Sequence, residues 1–299
     1  MALQRPPELG TRMLPEDTFK GQTVYVTGGG TGLGKAIAIE FARCGANVAI
    51  ASRDEGHRAA GVAAIEAVGG KAFGTAVDVR VPQAIADSYD QVEQALGPIS
   101  VLVNNAAGNF AVPAERMSPN AWNAVIGIVL NGTFFCSTEM ARRCMARGAG
   151  GAILNIGATY AWTGGPVASH SAAAKAGVTN LTQSLAVEWA PDNIRVNCLA
   201  PGLFPAADRS RQALTMGGAG GGEATTRPTT TVPGQRHGEA HELGWAATYM
   251  CSPFASYLTG HTLVLDGGNW LRRYGLGMPE FTPVREVFER RQGGEALNT

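Results

Sequence analysis

The chain has 299 residues, with 24 basic and 24 acidic side chains. That length suits one large α/β domain, able to bury about 75% of its unfolded surface without disulfides or metal. The charge balance excludes a broad positive field for nucleic acid and a polybasic run for a membrane surface.

Five scattered cysteines, Cys44, Cys136, Cys144, Cys198 and Cys251, contain no C-x-x-C pair. They read as buried thiols in a reducing compartment, and no metal site is expected. Residues 1–20 form an N-terminal arm without a signal-peptide core. Its acidic residues Glu8, Glu16 and Asp17 argue against secretion and organelle import, so a cytoplasmic location is expected. No apolar run approaches the roughly 18 residues of a membrane span.

Short β-rich runs fall at 23–27, 47–52, 71–77, 101–104, 152–156, 195–200 and 262–266. Helix candidates lie between them, at 33–44, 54–68, 82–96, 120–147, 166–190 and 238–251. Several of the β runs are almost wholly apolar, as in strands covered on both faces. The alternation predicts a single-domain Rossmann-type fold, a doubly wound parallel sheet of about seven strands with right-handed crossovers.

The first strand runs into TVYVTGGGTGLGKAIAIEFA at 23–42, a strand, a glycine turn and a helix start. Glycine allows close backbone approach, and a helix N-terminus offers N–H groups and partial positive charge to a pyrophosphate. Thr27, Gly28, Gly30, Thr31, Gly32, Leu33 and Gly34 are therefore the candidate cradle. The second strand ends in Ser52 and Arg53, where an NAD-type site would carry an acidic residue. An Arg fork suits a 2′-phosphate, which favours NADPH, while Asp54 keeps NADH open. Asp78 and Val79 close the third strand where an adenine would lie. NNAAG at 104–108, with Asn105 and Ala106, closes the fourth. Asn131 in VLNG either distorts its helix or holds a water near Lys175.

ATYAWTGGPVASHSAAAKAG at 158–177 follows the fifth strand. Ser171 stands one helical turn before Lys175, on the same face, and His170 is expected to point elsewhere, structurally or to the surface. Pro201 and Gly202 follow the sixth strand. Residues 203–237, rich in Gly, Thr and Pro, form either a linker or a substrate-side lid, with a helical fragment near 207–216. In the tail, 270–299, Phe281, Val284, Val287 and Phe288 share a helical face suited to docking.

Taken together, TGGGTGLG at 27–34, Asp78-Val79, NNAAG, Asn131, the Lys175 helix, Pro201-Gly202 and DGG at 266–268 resemble the short-chain dehydrogenase/reductase superfamily. Standard alcohol/carbonyl members use a Tyr four residues before the Lys and a Ser thirteen before that Tyr. Those places hold Ser171 and Ala158, so ordinary ketone reduction is not expected. NNAAGNF at 104–110, ATYAWTGG at 158–165 and SAAAKAGV at 171–178 look like NADPH-dependent 2,4-dienoyl-CoA reductases of the mitochondrial type. That resemblance implies a catalytic Tyr160 with Asn109, Lys175 and Ser171. It also implies a nicotinamide ribose held by Lys175, an acyl-CoA substrate and a homotetramer. The Gly/Thr-rich part of 203–232 departs from the pattern. Another enoyl or carbonyl substrate, and a cofactor-binding protein with little catalysis, stand as alternatives.

Overall fold

The computed structural model describes residues 2–205 and 232–271. The helical fragment expected near 207–216 and the docking face of the tail lie outside them. β1 (Thr23–Thr27), β2 (Asn47–Ala51), β3 (Lys71–Thr75), β4 (Ile99–Asn104), β5 (Gly151–Ile156), β6 (Ile194–Pro201) and β7 (Thr262–Leu265) form one sheet. Every pairing is parallel. The order β3-β2-β1-β4-β5-β6-β7 reverses direction between β1 and β4. In open α/β sheets ligands bind beyond the carboxyl ends of the strands at such a reversal.

Helices cover both faces, as the apolar strands require. On one side lie α1 (Gly32–Arg43) and α8 (Ala240–Cys251), burying Ile37, Phe41, Leu243 and Met250 against Val24, Val26 and Leu154. On the other lie α3 (Pro82–Leu96), α5 (Gly132–Arg147) and the end of α7 (Ser169–Trp189). There Tyr89, Met140 and Trp189 pack on Tyr25, Leu102 and Ile153. α2 (Glu55–Glu66) flanks β2 and β3. All five cysteines are buried and unpaired.

The expected helix over 120–147 is α4 (Pro119–Ile126), a π turn (Gly127–Asn131) and α5 in continuous sequence. Asn131 ends the widened turn and is exposed, which favours the helix-distorting of its two roles. Contrary to the reading of apolar runs, this helix is long and apolar enough by composition to cross a membrane. Half of the relevant stretch is buried inside the molecule, as in a core helix. The expected helix over 166–190 starts at Ser169, and an unexpected one-turn helix, α6 (Tyr160–Thr163), precedes it.

A polar seam crosses the core beneath the site. Asn104 on β4 and Asn155 on β5 are register partners. Asn104 Nδ2 donates to Asn155 Oδ1 and to Ser137 Oγ on α5, both at 2.9 Å. Asn155 Nδ2 donates to Thr182 Oγ1 on α7 at 2.9 Å. An unpaired buried amide costs about 1–3 kcal/mol, so this set of bonds fixes how β4, β5, α5 and α7 meet.

Candidate active site

The glycine turn is fastened at the strand-order reversal. Gly28, at φ 64°, donates its N–H to Ala51 O at 2.7 Å. Thr27 Oγ1 accepts from the N–H groups of Asn105 and Ala106, each at 2.9 Å. Asn105 Nδ2 returns bonds to Thr27 O and Gly28 O at 3.0 and 3.1 Å. The side chains of Thr27 and Asn105 therefore brace the turn. Gly30 is a close-approach position, because a Cβ there would lie 2.1 Å from His57 O on α2. Thr31 makes no side-chain cap on α1, and no acidic residue sits in the first turn. With the N-terminal end of the α1 dipole at the glycine turn, the place fits a dinucleotide pyrophosphate.

The ribose end contains partners that sequence reasoning missed. Asp54 Oδ1 accepts from His57 N at 2.7 Å as the N-cap of α2. That backbone bond holds its carboxyl below the usual range and engages the one acid that kept NADH open. Arg58 donates to Ser52 O and Arg53 O at 2.9 and 2.8 Å. It fixes the backbone that carries the exposed Arg53 side chain. Asp78 Oδ1 accepts from Arg80 Nε at 2.9 Å and Asp78 Oδ2 from Arg80 Nη2 at 2.5 Å, a fork that holds the Asp78 carboxyl low. Val79 is buried beside Gly132. Neither arginine gave a signal beyond that of a surface charge.

The proposed catalytic residues come from the loop after β4, the turn after β5 and the start of α7. Tyr160 opens α6 after β5, on a helical turn rather than at a bare strand end, and its hydroxyl is 3.1 Å from Ser171 Oγ. Ser171 is buried near the start of α7. Lys175 follows one turn later, and its Nζ donates to Ile156 O at the end of β5. Asn109 lies beyond β4. Its Oδ1 accepts from Phe110 N at 2.9 Å, and Nδ2 has no partner among the described residues. Val112 N donates to Val167 O at 2.8 Å, joining the loop after β4 to the loop before α7. The Phe110 ring meets the His170 ring edge-on at 4.7 Å. His170 is fully buried under Phe110, with both ring nitrogens lacking a partner among the described residues, so of the two expected placements it does not take the surface. Pro201 ends β6, and Gly202 N donates to Leu265 O at 2.9 Å.

Burial pushes Lys175 down to about 8, opposed by the nearby Cys198 thiol. Its ammonium is therefore present below that pH and lost as pH rises through it. Nicotinamide-cofactor affinity is expected to fall as pH rises through about 8. Fluorescence titration of the wild type and Lys175→Met checks this, since the variant should lack the break.

The arrangement offers donors without a conventional base. Tyr160 and Ser171 form a hydroxyl pair, Ser171 lies one helical turn along the chain from the buried Lys175, and Asn109 lies in the loop after the neighbouring strand β4. Such a set can bind an oxygen on which negative charge develops.

A family model described as Enoyl-(Acyl carrier protein) reductase, adh_short_C2, matches residues 28–269. A Bacillus subtilis protein named probable 2,4-dienoyl-CoA reductase, (2E)-enoyl-CoA-producing, is 40% identical over 254 residues, 85% of this chain and 98% of that protein. The crystal structure of a short-chain dehydrogenase from Bacillus anthracis is 40% identical with TM-score 0.76, covering 86% of this chain and 99% of that one. A putative 2-deoxy-D-gluconate 3-dehydrogenase from Agrobacterium tumefaciens, with bound NADP, is 32% identical with TM-score 0.75, covering 86% and 99%. The glycine turn, the sheet order and these likenesses agree, and the chain belongs to the short-chain dehydrogenase/reductase family of nicotinamide-dependent oxidoreductases.

Proposed function

We propose that the protein reduces 2,4-dienoyl-CoA thioesters with NADPH. The observation that carries this reading is the 3.1 Å contact between the Tyr160 hydroxyl and Ser171 Oγ. Ser171 stands where carbonyl-reducing members of the family carry their tyrosine. The hydroxyl from α6 is delivered to that same place, so the donor is relocated rather than lost.

When bound, the nicotinamide supplies a hydride, which adds to the far end of the conjugated diene. Charge then develops on the thioester oxygen as a dienolate. The Tyr160 hydroxyl and Asn109 Nδ2 donate to that oxygen. Ser171 orients the Tyr160 hydroxyl, and the Lys175 ammonium favours negative charge nearby. Proton addition to carbon completes the enoyl-CoA. Thr27 to Gly34 hold the pyrophosphate, Asp78, Val79, Asn105 and Ala106 border the adenine side, Lys175 takes the ribose hydroxyls, and Pro201-Gly202 flank the nicotinamide. We also infer a homo-oligomer, a reading supported by exposed Trp122 and Phe134 on α4 and α5 and by exposed Val187, Phe254 and Tyr257.

Steady-state oxidation of NADPH across a panel of 2,4-dienoyl-CoA chain lengths tests the reading, with the double-bond position of the product assigned by NMR. Turnover to a 3-enoyl or 2-enoyl thioester supports it. No turnover at any length, with tight NADPH binding retained, would favour a binding protein. Cofactor choice has its own check. Arg53→Ala is expected to weaken NADPH roughly 10- to 100-fold, the loss of a charged hydrogen bond, and to leave NADH nearly unchanged. Equal losses for both cofactors would remove the 2′-phosphate assignment.

A further inference from the structure

α6 is weak as an isolated helix. It is one turn of four residues, with no side-chain cap and no buried residue, and a single turn does not repay the entropy of nucleation. Its position, and with it that of the Tyr160 hydroxyl, must be imposed from outside. The bond to Ser171 does this on one side. On the other, the Trp162 ring stands on the Trp270 ring, with centroids 5.4 Å apart and planes 40° apart. Residues two apart on a helix point to roughly opposite sides, so Trp162 holds the outer side of α6 while Tyr160 faces α7.

Trp270 is itself held. It sits in the turn Asn269–Leu271 after β7. Asp266 Oδ2 accepts from Trp270 N at 2.6 Å and Asp266 Oδ1 from Gly268 N at 2.9 Å. Asp266 also stands against the chain at Gly202, where a Cβ would come within 2.4 Å of Asp266 Cβ. A continuous row of contacts thus runs from α6 through Trp162, Trp270 and Asp266 to the Pro201-Gly202 corner. The family motif DGG accounts for the turn and says nothing of the tryptophan after it.

We propose that Trp270 is a positioning residue: its indole, carried on a backbone that Asp266 holds, seats Trp162 and so sets where α6 presents the Tyr160 hydroxyl. The proposal rests on Tyr160 being the oxygen-binding donor. The competing role for an aromatic pair at this edge is a wall for the acyl chain, and the two differ in kinetics.

The test is steady-state kinetics with a 2,4-dienoyl-CoA substrate on Trp270→Ala, Trp270→Phe, Tyr160→Phe and the double variant Tyr160→Phe/Trp270→Ala. NADPH affinity is measured in parallel by fluorescence titration. Trp270→Ala is expected to lower kcat about 10- to 100-fold, as for a misplaced catalytic group, with NADPH affinity unchanged. Trp270→Phe keeps a ring and should recover most of the loss. The double variant should be no slower than Tyr160→Phe alone, because the placement of an absent hydroxyl has no effect. If Trp270→Ala does not fold, Trp162→Ala carries the same comparison, its residue being 44% exposed.

Additive losses in the double variant would overturn the proposal. So would a raised KM with kcat retained, which marks a substrate wall, or a loss of NADPH affinity. A slow Tyr160→Phe beside a normal Trp270→Ala would sink the positioning role alone. Full activity in Tyr160→Phe would remove the oxygen-binding reading and this proposal with it.

Discussion

Tyr160→Phe is expected to lower kcat on 2,4-dienoyl-CoA by roughly 10²- to 10³-fold, the effect of deleting one preorganised donor to a developing oxyanion. The ring and its packing survive the change, so α6 keeps its contact with Trp270. Only the hydroxyl that meets Ser171 at 3.1 Å is removed. NADPH affinity should stay within about twofold, since no bond to the cofactor is lost. Asn109→Ala should act in the same direction if its Nδ2 is, as proposed, the second donor. The measurement is kcat and KM on both variants with direct NADPH titration. Full activity in both would refute the assignment of the thioester oxygen to these groups.

Gly30→Ala should act on binding and stability together. The added Cβ would lie 2.1 Å from His57 O and 2.5 Å from His57 C, so the backbone of α2 must move. Overpacking of this kind costs about 1–3 kcal/mol, which for a chain this size lowers Tm by roughly 2–5 °C. α2 follows directly on Arg53 and begins at the Asp54 cap, so its displacement moves the backbone that carries the proposed 2′-phosphate partner Arg53. A weaker NADPH titration and a lower Tm in calorimetry are expected together. Unchanged values for both would mean that the turn and α2 are looser than their contact implies.

The fold was legible because its signals are local and repeated. Each strand is a short apolar run, each helix is long enough to show its period, and the glycine turn marks the first crossover. The parallel, doubly wound sheet follows from that, while its strand order is read only from the structure. What escaped has a physical reason in each case. α6 spans four residues, too few for any periodicity to register. The seam of Asn104, Asn155, Ser137 and Thr182 depends on register between strands and on helix docking, neither of which is written in one segment. Arg58 and Arg80 look like ordinary surface charges until the turns they brace are placed. His170 carries a polar side chain that sequence patterning assigns to water or structure, and only the fold shows Phe110 covering it. Tyr160, Asn109, Ser171 and Lys175 are proposed as a set through family likeness, not through spacing; of that set the structure brings the Tyr160 and Ser171 hydroxyls together.

The buried cysteines carry a consequence for redox chemistry. Reaction with oxidants requires the thiolate. Burial pushes Cys44 and Cys198 up to about 11 and Cys136 and Cys251 up to about 12, and raises Cys144 as well. In the folded chain these sulfurs are therefore both un-ionised and out of reach. An enzyme that handles reducing equivalents in this way keeps its own thiols out of the exchange. Peroxide or glutathione disulfide would meet them only after the sheet and its helices had come apart.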